Sequence, residues 1–276
     1  MSVISLLTDF GTDDEYVGLV KAVIYGIAPH AVIVDLCHRL DPHDIPAAAL
    51  LLAHAWPYFP EGSVHVTVVD PGVGSRREIL AVQRSGHLFV APDNGVLTPI
   101  FDGAATARIV KVRNRSFFRN TISRTFHGRD IFAPVAAHLS LGVELDRLGP
   151  PADGAGLCRI QLPAPQVSDR RELVGAVVWI DRFGNLITNI AAELIDRLES
   201  SGRRRRLSIE AGGRRLFGIA DSYARVEPGE PLAIIGSRGT LEIAVNCGNA
   251  ADFFGCRRGD PVRVRPDDSG PRRGLL

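Results

Sequence analysis

Residues 3 to 69 alternate between β-branched runs and helical spacing, an order that leaves few architectures open. Val3-Ile-Ser-Leu-Leu7 reads as a strand, after which Val17, Val20, Ile24 and Ile27 recur at spacings of three and four. That stripe marks an amphipathic helix, ending before Pro29. Ala31 to Leu36 forms the next strand. Asp44 just ahead of Pro46 suits a helix start, with an acid as cap and proline in the first turn, and the helix carries Ala47 to Trp56 until Pro57 and Pro60 stop it. Val64 to Val69 follows as a third strand. Such alternating units predict an α/β fold with a mainly parallel sheet covered on both faces.

Shorter strands are expected at Ile79 to Gln83, His87 to Val90 and Ala107 to Val112, divided by turn residues such as Ser85-Gly86 and Asp93-Asn94-Gly95. A helix from about Asp130 to Leu141 closes this part. Gly149 to Pro165 is rich in proline, glycine and alanine without periodicity, which sets the expected division: a first domain over 1–155, a linker over 156–170 and a second domain over 171–276. From Leu173 the pattern changes to short β segments broken by Gly and Pro turns: Leu173 to Ile180, Leu186 to Ile190, Leu207 to Glu210, Leu232 to Ile235, Leu241 to Val245 and Pro261 to Val264. These read as a small antiparallel sandwich or barrel.

Bulk properties narrow the function. A chain of 276 residues, 45% hydrophobic, buries a substantial core, and its formal charge of +1 gives no reason to expect nucleic acid as a partner. Arg203 to Arg206, beside Ser200, Ser201 and Gly202, read as a solvated loop. Cys37, Cys158, Cys247 and Cys256 show neither C-x-x-C pairing nor zinc-finger spacing, which suits a reducing cytoplasm. No leader is expected, because Asp9 interrupts a first segment that lacks a basic start. The longest apolar run, Ala47 to Trp56, contains His54 and falls short of the roughly 20 residues of a membrane span, so a soluble protein with no membrane partner is expected.

Open α/β sheets bind ligands beyond the carboxyl ends of their strands. Asp70 stands there, after Val66-Thr-Val-Val69 and before a glycine turn and the paired Arg76 and Arg77. Asp9 repeats the arrangement after the first strand, in Thr8-Asp9-Phe10-Gly11-Thr12-Asp13-Asp14. Phe126-His127-Gly128-Arg129-Asp130 places an imidazole in a turn before a helix, where it can reach the same rim. Each has a plainer reading: Asp70 before Pro71-Gly72 can cap a turn, Arg77 can be a surface charge, and His127 can serve a helix start. Other motifs fail. Asp9-Phe10-Gly11 spells a kinase magnesium motif, but His127-Gly-Arg-Asp130 follows it in inverted order and no glycine-rich loop precedes it. Gly72-Val-Gly74 lacks the third glycine of a dinucleotide site, and the dispersed histidines give no metal signal.

Five ordered motifs carry a resemblance. They are T-D-F-G-x-x-D (Thr8 to Asp14), V-D-P-G-V-G-S-R-R (Val69 to Arg77), F-H-G-R-D-I-F-A-P (Phe126 to Pro134), D-R-F-G-N-L-I-T-N-I (Asp181 to Ile190) and G-S-R-G-T-L-E-I-A-V-N-C-G-N-A-A (Gly236 to Ala251). With them the chain resembles the S-adenosyl-L-methionine (SAM) hydroxide adenosyltransferases, relatives of fluorinase and chlorinase, over nearly its whole length. The resemblance implies a Rossmann-like N-terminal domain and a small β C-terminal domain. It also implies a cytoplasmic homotrimer, with substrate between the N-terminal domain of one subunit and the C-terminal domain of its neighbour.

The implied reaction is cleavage of SAM by water to adenosine and L-methionine, with no metal and no cofactor, SAM being the substrate. The family's catalytic trio matches Asp70, Arg77 and His127, with Arg76 the adjacent competitor. By the same resemblance Asp9 holds the ribose hydroxyls, Asp14 and Tyr16 line the methionine end, and Asp181 receives the amino group. Asn185 contacts adenine, Tyr223 stacks on it, and the backbone at Val245 and Cys247 reads the purine edge. Ser237 and Arg238 grip the methionine carboxylate. Halogenating relatives carry tyrosine and threonine where this chain has Asp70 and Val73, and a carboxylate there repels a halide. The trio then has to activate a water whose free pKa is ~15.7; Asp70 and His127 are both open as proton acceptor. The alternatives are a SAM- or adenosine-binding sensor without turnover, a halogenase, and a metal-dependent hydrolase using Asp9, Asp14, Asp70 and His127.

Overall fold

Two compact units, Met1–Gln161 and Leu162–Leu276, divide the chain. The computed structural model describes residues 2–101, 107–168, 172–199 and 207–267, so the arginine run at 203–206 lies outside the described residues.

The first unit is built on a six-stranded sheet. In chain order its elements are β1 (Val3–Thr8), α1 (Tyr16–Ile27), β2 (Val32–Cys37), α2 (Ile45–Ala55), β3 (Val64–Val68), β4 (Ile79–Arg84), β5 (His87–Pro92), α3 (Thr98–Phe101), β6 (Arg108–Lys111) and α4 (Ala133–Ser140). The strands lie in the order β2-β1-β3-β5-β4-β6. β2, β1, β3 and β5 run parallel, whereas β4 is antiparallel to both β5 and β6. The sheet is therefore mostly parallel, with an antiparallel margin. Ser85 and Gly86, at φ 48° and 76°, form the tight turn between β4 and β5, and successive positive φ values match the twist of a hairpin.

Side chains alternate across the strands. Ile4, Leu6, Val64, Val66 and Val90 join Val20 and Ile24 of α1 and Val135 of α4 in one core. The opposite face holds a buried polar thread: Ser5 Oγ lies 2.8 Å from His65 Nδ1, and His65 Nε2 lies 3.2 Å from His87 Nδ1. Phe89 stacks on His65 and meets the edge of Trp56. α2 begins as its sequence implies, with Asp44 Oδ1 accepting from the Ala47 amide at 3.0 Å.

The expected helix from residue 130 to 141 is instead a π-helical turn, Gly128–Phe132, leading into α4. Pro134 has no N–H to give to the Asp130 carbonyl, so the first turn opens, and that carbonyl accepts from the Arg119 amide at 3.0 Å instead.

The second unit comprises β7 (Gln166–Val167), β8 (Leu173–Ile180), β9 (Leu186–Ala191), α5 (Ala192–Glu199), β10 (Leu207–Ala211), β11 (Arg214–Phe217), β12 (Pro231–Ile235), β13 (Thr240–Val245), α6 (Ala250–Phe254) and β14 (Pro261–Pro266). Its strands pair antiparallel in the order β11-β10-β14-β8-β9-β13-β12, with β7 added to β8. The sheet curls into a nearly closed barrel, its two ends approached by a bridge from Ala220 to Ile234. Leu173, Ile190, Ile209, Leu241, Ile243 and Val264 fill the interior. The short helices α5 and α6 add to the expected strands, with Leu194, Ile195 and Leu198 of α5 at helical spacing against the core.

Two stability effects are expected. Phe89 is fully buried, so Phe89→Ala should lower unfolding free energy by about 3–5 kcal/mol in urea titration. His65 is lowered from 6.5 to about 3, by burial first and then by His87. The unfolded chain then binds this proton first, so stability from this group is present above pH 6.5 and is lost as pH falls towards 3. Urea midpoints measured across that window should decline more steeply in the native protein than in His65→Leu.

Candidate active site

β1 and β3 lie side by side and parallel, with Thr8 opposite Val68, so the chain leaves both strands at the same edge of the sheet. Asp9 and Asp70 follow directly. They line one pocket of about 310 Å³ with Phe10, Tyr16, His43, Val68, Val73, Phe126 and His127.

The turn after β1 is held by its neighbours. The Gly11 amide donates to the His38 carbonyl at 2.7 Å, and Thr8 Oγ1 pairs with His38 Nδ1 at 2.9 Å. Asp9 Oδ2 accepts from the His43 backbone amide at 2.8 Å, and the Asp9 side chain is only 10% exposed. His43 adopts φ 68°, unusual for a residue with a side chain. No sequence signal singles it out, because its role runs through its backbone.

After β3, the Val73 amide returns to the Asp70 carbonyl at 3.2 Å, and Gly74, at φ 77°, packs against the Arg124 carbonyl where a Cβ would collide. This turn brings Arg77 back over Asp70. Arg77 Nε donates to both carboxylate oxygens, at 3.0 and 2.9 Å, and Nη2 also donates to Oδ2. The same Nη2 lies 2.9 Å from His127 Nδ1. Arg77, not Arg76, thus joins the trio, and both charged side chains are nearly buried.

His127 is delivered by the loop before the π turn. Asp130, fully buried, accepts from Arg129 Nε at 2.7 Å, Arg129 Nη2 at 2.9 Å and the Ser123 amide at 2.8 Å, which pins the loop to the π turn. Phe10, Tyr16 and Phe126 pack against one another with centroids 5.2–6.0 Å apart, and Phe10 reaches Gly128 so closely that a side chain there would crowd it.

A guanidinium cannot accept a hydrogen bond, so Nδ1 of His127 is the acceptor and the neutral ring carries its proton on Nε2. Burial lowers the pKa of His127, the Arg77 charge lowers it further, and Asp70 and Asp130 oppose that. Asp14 is exposed and does not line this pocket.

The second unit has its own pocket, of about 710 Å³. Asp181, Asn185, Tyr223, Ser237, Arg238, Val245 and Cys247 all line it, together with Phe183 and Glu242. Asp181 Oδ1 accepts from the Phe183 and Asn185 amides, each at 2.9 Å, and Oδ2 from Asn185 Nδ2 at 2.9 Å. The carboxylate therefore shapes the turn and fixes the Asn185 amide. Arg238 is lowered by burial, against the pull of Asp181 and Glu242. Cys247 holds φ 55°, and the adjoining Val245 carbonyl accepts from the Gly248 amide at 3.0 Å. Glu242 was not anticipated, although an acid inside the apolar run Leu241-Glu-Ile-Ala-Val245 is itself a signal. Among the described residues no group of three or more His, Cys, Asp or Glu is arranged to hold a metal ion, and no helix is long and apolar enough to cross a membrane.

A strand-end pocket with a buried Asp–Arg–His cluster, on a mostly parallel sheet joined in sequence to a β-barrel unit, defines the class: a two-unit α/β protein that presents polar groups to a small molecule. The chain belongs to the SAM hydroxide adenosyltransferase family, whose N-terminal domain matches residues 4–149 and whose C-terminal domain matches residues 175–263. It is 39% identical over 272 residues to a Thermus thermophilus protein named (R)-S-adenosyl-L-methionine hydrolase, covering 96% of this chain and all of the relative. A Salinispora tropica protein of the same name is 37% identical, over 95% of this chain and 97% of its own. A more distant relative, 26% identical over 95% of this chain and 96% of its own, is named fluorinase, from Actinopolyspora mzabensis. A crystal structure of an uncharacterized conserved protein from Thermotoga maritima superposes with TM-score 0.88 at 37% identity, covering 95% of this chain and 99% of that one.

The hydrogen-bond pattern makes a spectroscopic prediction. Nitrogen-15 NMR at pH 7 should find His127 neutral, with Nδ1 bare and Nε2 protonated, and Arg77→Ala should raise its pKa by removing the adjacent positive charge.

Proposed function

We propose that this protein hydrolyses S-adenosyl-L-methionine, water attacking C5′ to give adenosine and L-methionine. The observation that carries the reading is the Asp70–Arg77–His127 cluster, bound together in a pocket at the ends of two parallel strands. The sulfonium is already a good leaving group, so the protein has only to hold water in line and take its proton. As the C–O bond forms, that water becomes strongly acidic, and a weak base suffices. Asp70 fills this role: its oxygens keep lone pairs beyond those used by Arg77. His127 offers its Nε2–H to orient the oxygen; accepting a proton at Nδ1 would set two donors against each other. The C5′–S electron pair leaves with methionine, and the proton passes to solvent. Neither step calls for a metal or a cofactor.

The remaining groups bind substrate. Asp9 accepts from the vicinal ribose hydroxyls, Tyr16 serves the methionine end, and Ser237 and Arg238 take the carboxylate, with the amino group on Asp181. Adenine meets Asn185, Tyr223 and the backbone of Val245 and Cys247. In this reading the protein is a cytoplasmic homotrimer, and each substrate lies where the first unit of one subunit meets the second unit of its neighbour. All four cysteines are free, which suits a reducing compartment.

Halogenation is disfavoured because a halide would have to sit beside the Asp70 carboxylate. A sensor that binds without turnover is the remaining competitor, and recovery of intact SAM after long incubation with excess protein would establish it instead.

Product analysis in heavy-oxygen water tests the reaction directly, with label expected in the 5′-hydroxyl of adenosine and no halogenated nucleoside when fluoride or chloride is added. Asp70→Ala and His127→Ala should each lower single-turnover cleavage by about 10²-fold or more while SAM still binds. Near-native rates in both variants would remove the mechanism.

A further inference from the structure

One buried acid in the larger pocket is not used by the reaction just described. Glu242 lies on β13 between β9 and β12, is 7% exposed, and follows the apolar Leu241 and precedes Ile243. A carboxylate in such a strand is costly unless it is given a partner. Its hydrogen-bond partner is neutral, Tyr223 Oη donating to Glu242 Oε1 at 2.5 Å, while the Arg238 charge acts on it from the same pocket. The other oxygen, Oε2, rests over Gly236, so closely that any Cβ at 236 would displace it, although Gly236 does not hold a positive φ. Burial raises the pKa of Glu242, and Tyr223 is pushed up to about 12 by burial and by Glu242, so the phenol remains a donor throughout the physiological range.

Tyr223 itself is poorly anchored by packing. It begins a short 3-10 turn, Tyr223–Arg225, flanked by extended residues, and the residue is 42% exposed. The hydrogen bond ties this exposed ring to a strand held on both sides. We propose that Glu242 is a positioning residue for substrate, fixing the Tyr223 ring as a wall of the pocket before the adenine arrives. The inference rests on the reading that this pocket takes the adenosyl part of SAM. Ordering an exposed aromatic ring on binding costs conformational entropy, and a ring held in advance spares that cost.

The test is a double-mutant cycle on the full chain, reading KM and single-turnover kcat for SAM together with calorimetric affinity for adenosine. Loss of one hydrogen bond corresponds to roughly three- to tenfold. Tyr223→Phe and Glu242→Ala should each raise KM and weaken adenosine binding by about that factor, with kcat within about twofold. The double variant should be no worse than the worse single one. Glu242→Gln retains an acceptor at the same place and should restore native KM, which a purely electrostatic role would not. Should Glu242→Ala fail to fold, Tyr223→Phe and Glu242→Gln decide the matter, since neither removes volume from the core. Effects that multiply, an unchanged KM in Tyr223→Phe, or a Gln variant as impaired as Ala would each overturn the proposal while native turnover stands. A native protein that neither binds adenosine nor cleaves SAM would overturn the reading of the site and this proposal with it.

Discussion

Thr8 stands opposite Val68 in the parallel pairing of β1 and β3, and the N-terminal pocket depends on that register. Parallel neighbours end at the same edge of a sheet, so the residues that follow them emerge together. Asp9 and Asp70 are sixty-one positions apart in the chain, yet each is the first or second residue beyond its strand. A slip of one residue would carry either strand's apolar side chains to the face that holds the buried Ser5–His65–His87 thread, so the core of Ile4, Leu6, Val64 and Val66 enforces the alignment of the two acids. The site is thus held by the hydrophobic packing beneath it.

Arg77 converts that placement into chemistry. A nearly buried carboxylate is tolerated because the guanidinium is bound across both of its oxygens. The same group then turns the second Nη2 hydrogen to His127, which settles the tautomer of the imidazole. One cation therefore sets the state of both neighbours. The second unit follows a similar economy: Asp181 uses its carboxylate to build the turn that presents Asn185, and Glu242 uses its own to hold Tyr223. In each case an acid fixes a neighbouring group that lines the pocket.

Much of this was legible in the chain. Alternating strand and helix patterns specify the parallel sheet because βαβ crossovers permit little else, and Asp44 with Pro46 marks the start of α2 because both act through local bonds. Acids at strand ends are visible for the same reason. Less legible were features that depend on what is missing or remote. Pro134 looks like an ordinary first-turn proline, and only the structure reveals that the carbonyl it leaves free ties back Arg119 and opens a π turn. His43 contributes a backbone amide, to which side-chain chemistry gives no clue. α5 and α6 are short helices set among strand signals, and Leu194, Ile195 and Leu198 of α5 pack into the barrel core.

By itself, then, the sequence determined the layered α/β unit, the β-rich unit after it and a set of candidate acids, arginines and a histidine at strand ends and turns, because periodicity and strand-end position are local properties. Tertiary structure alone decided that the Arg77 side chain bridges Asp70 to His127, that β4 runs against the parallel strands, that Asp14 stays outside the pocket, and that Glu242 is bound to Tyr223. These are outcomes of distance and direction between residues remote in the chain, and direction is fixed only once the cores on which the loops rest have closed.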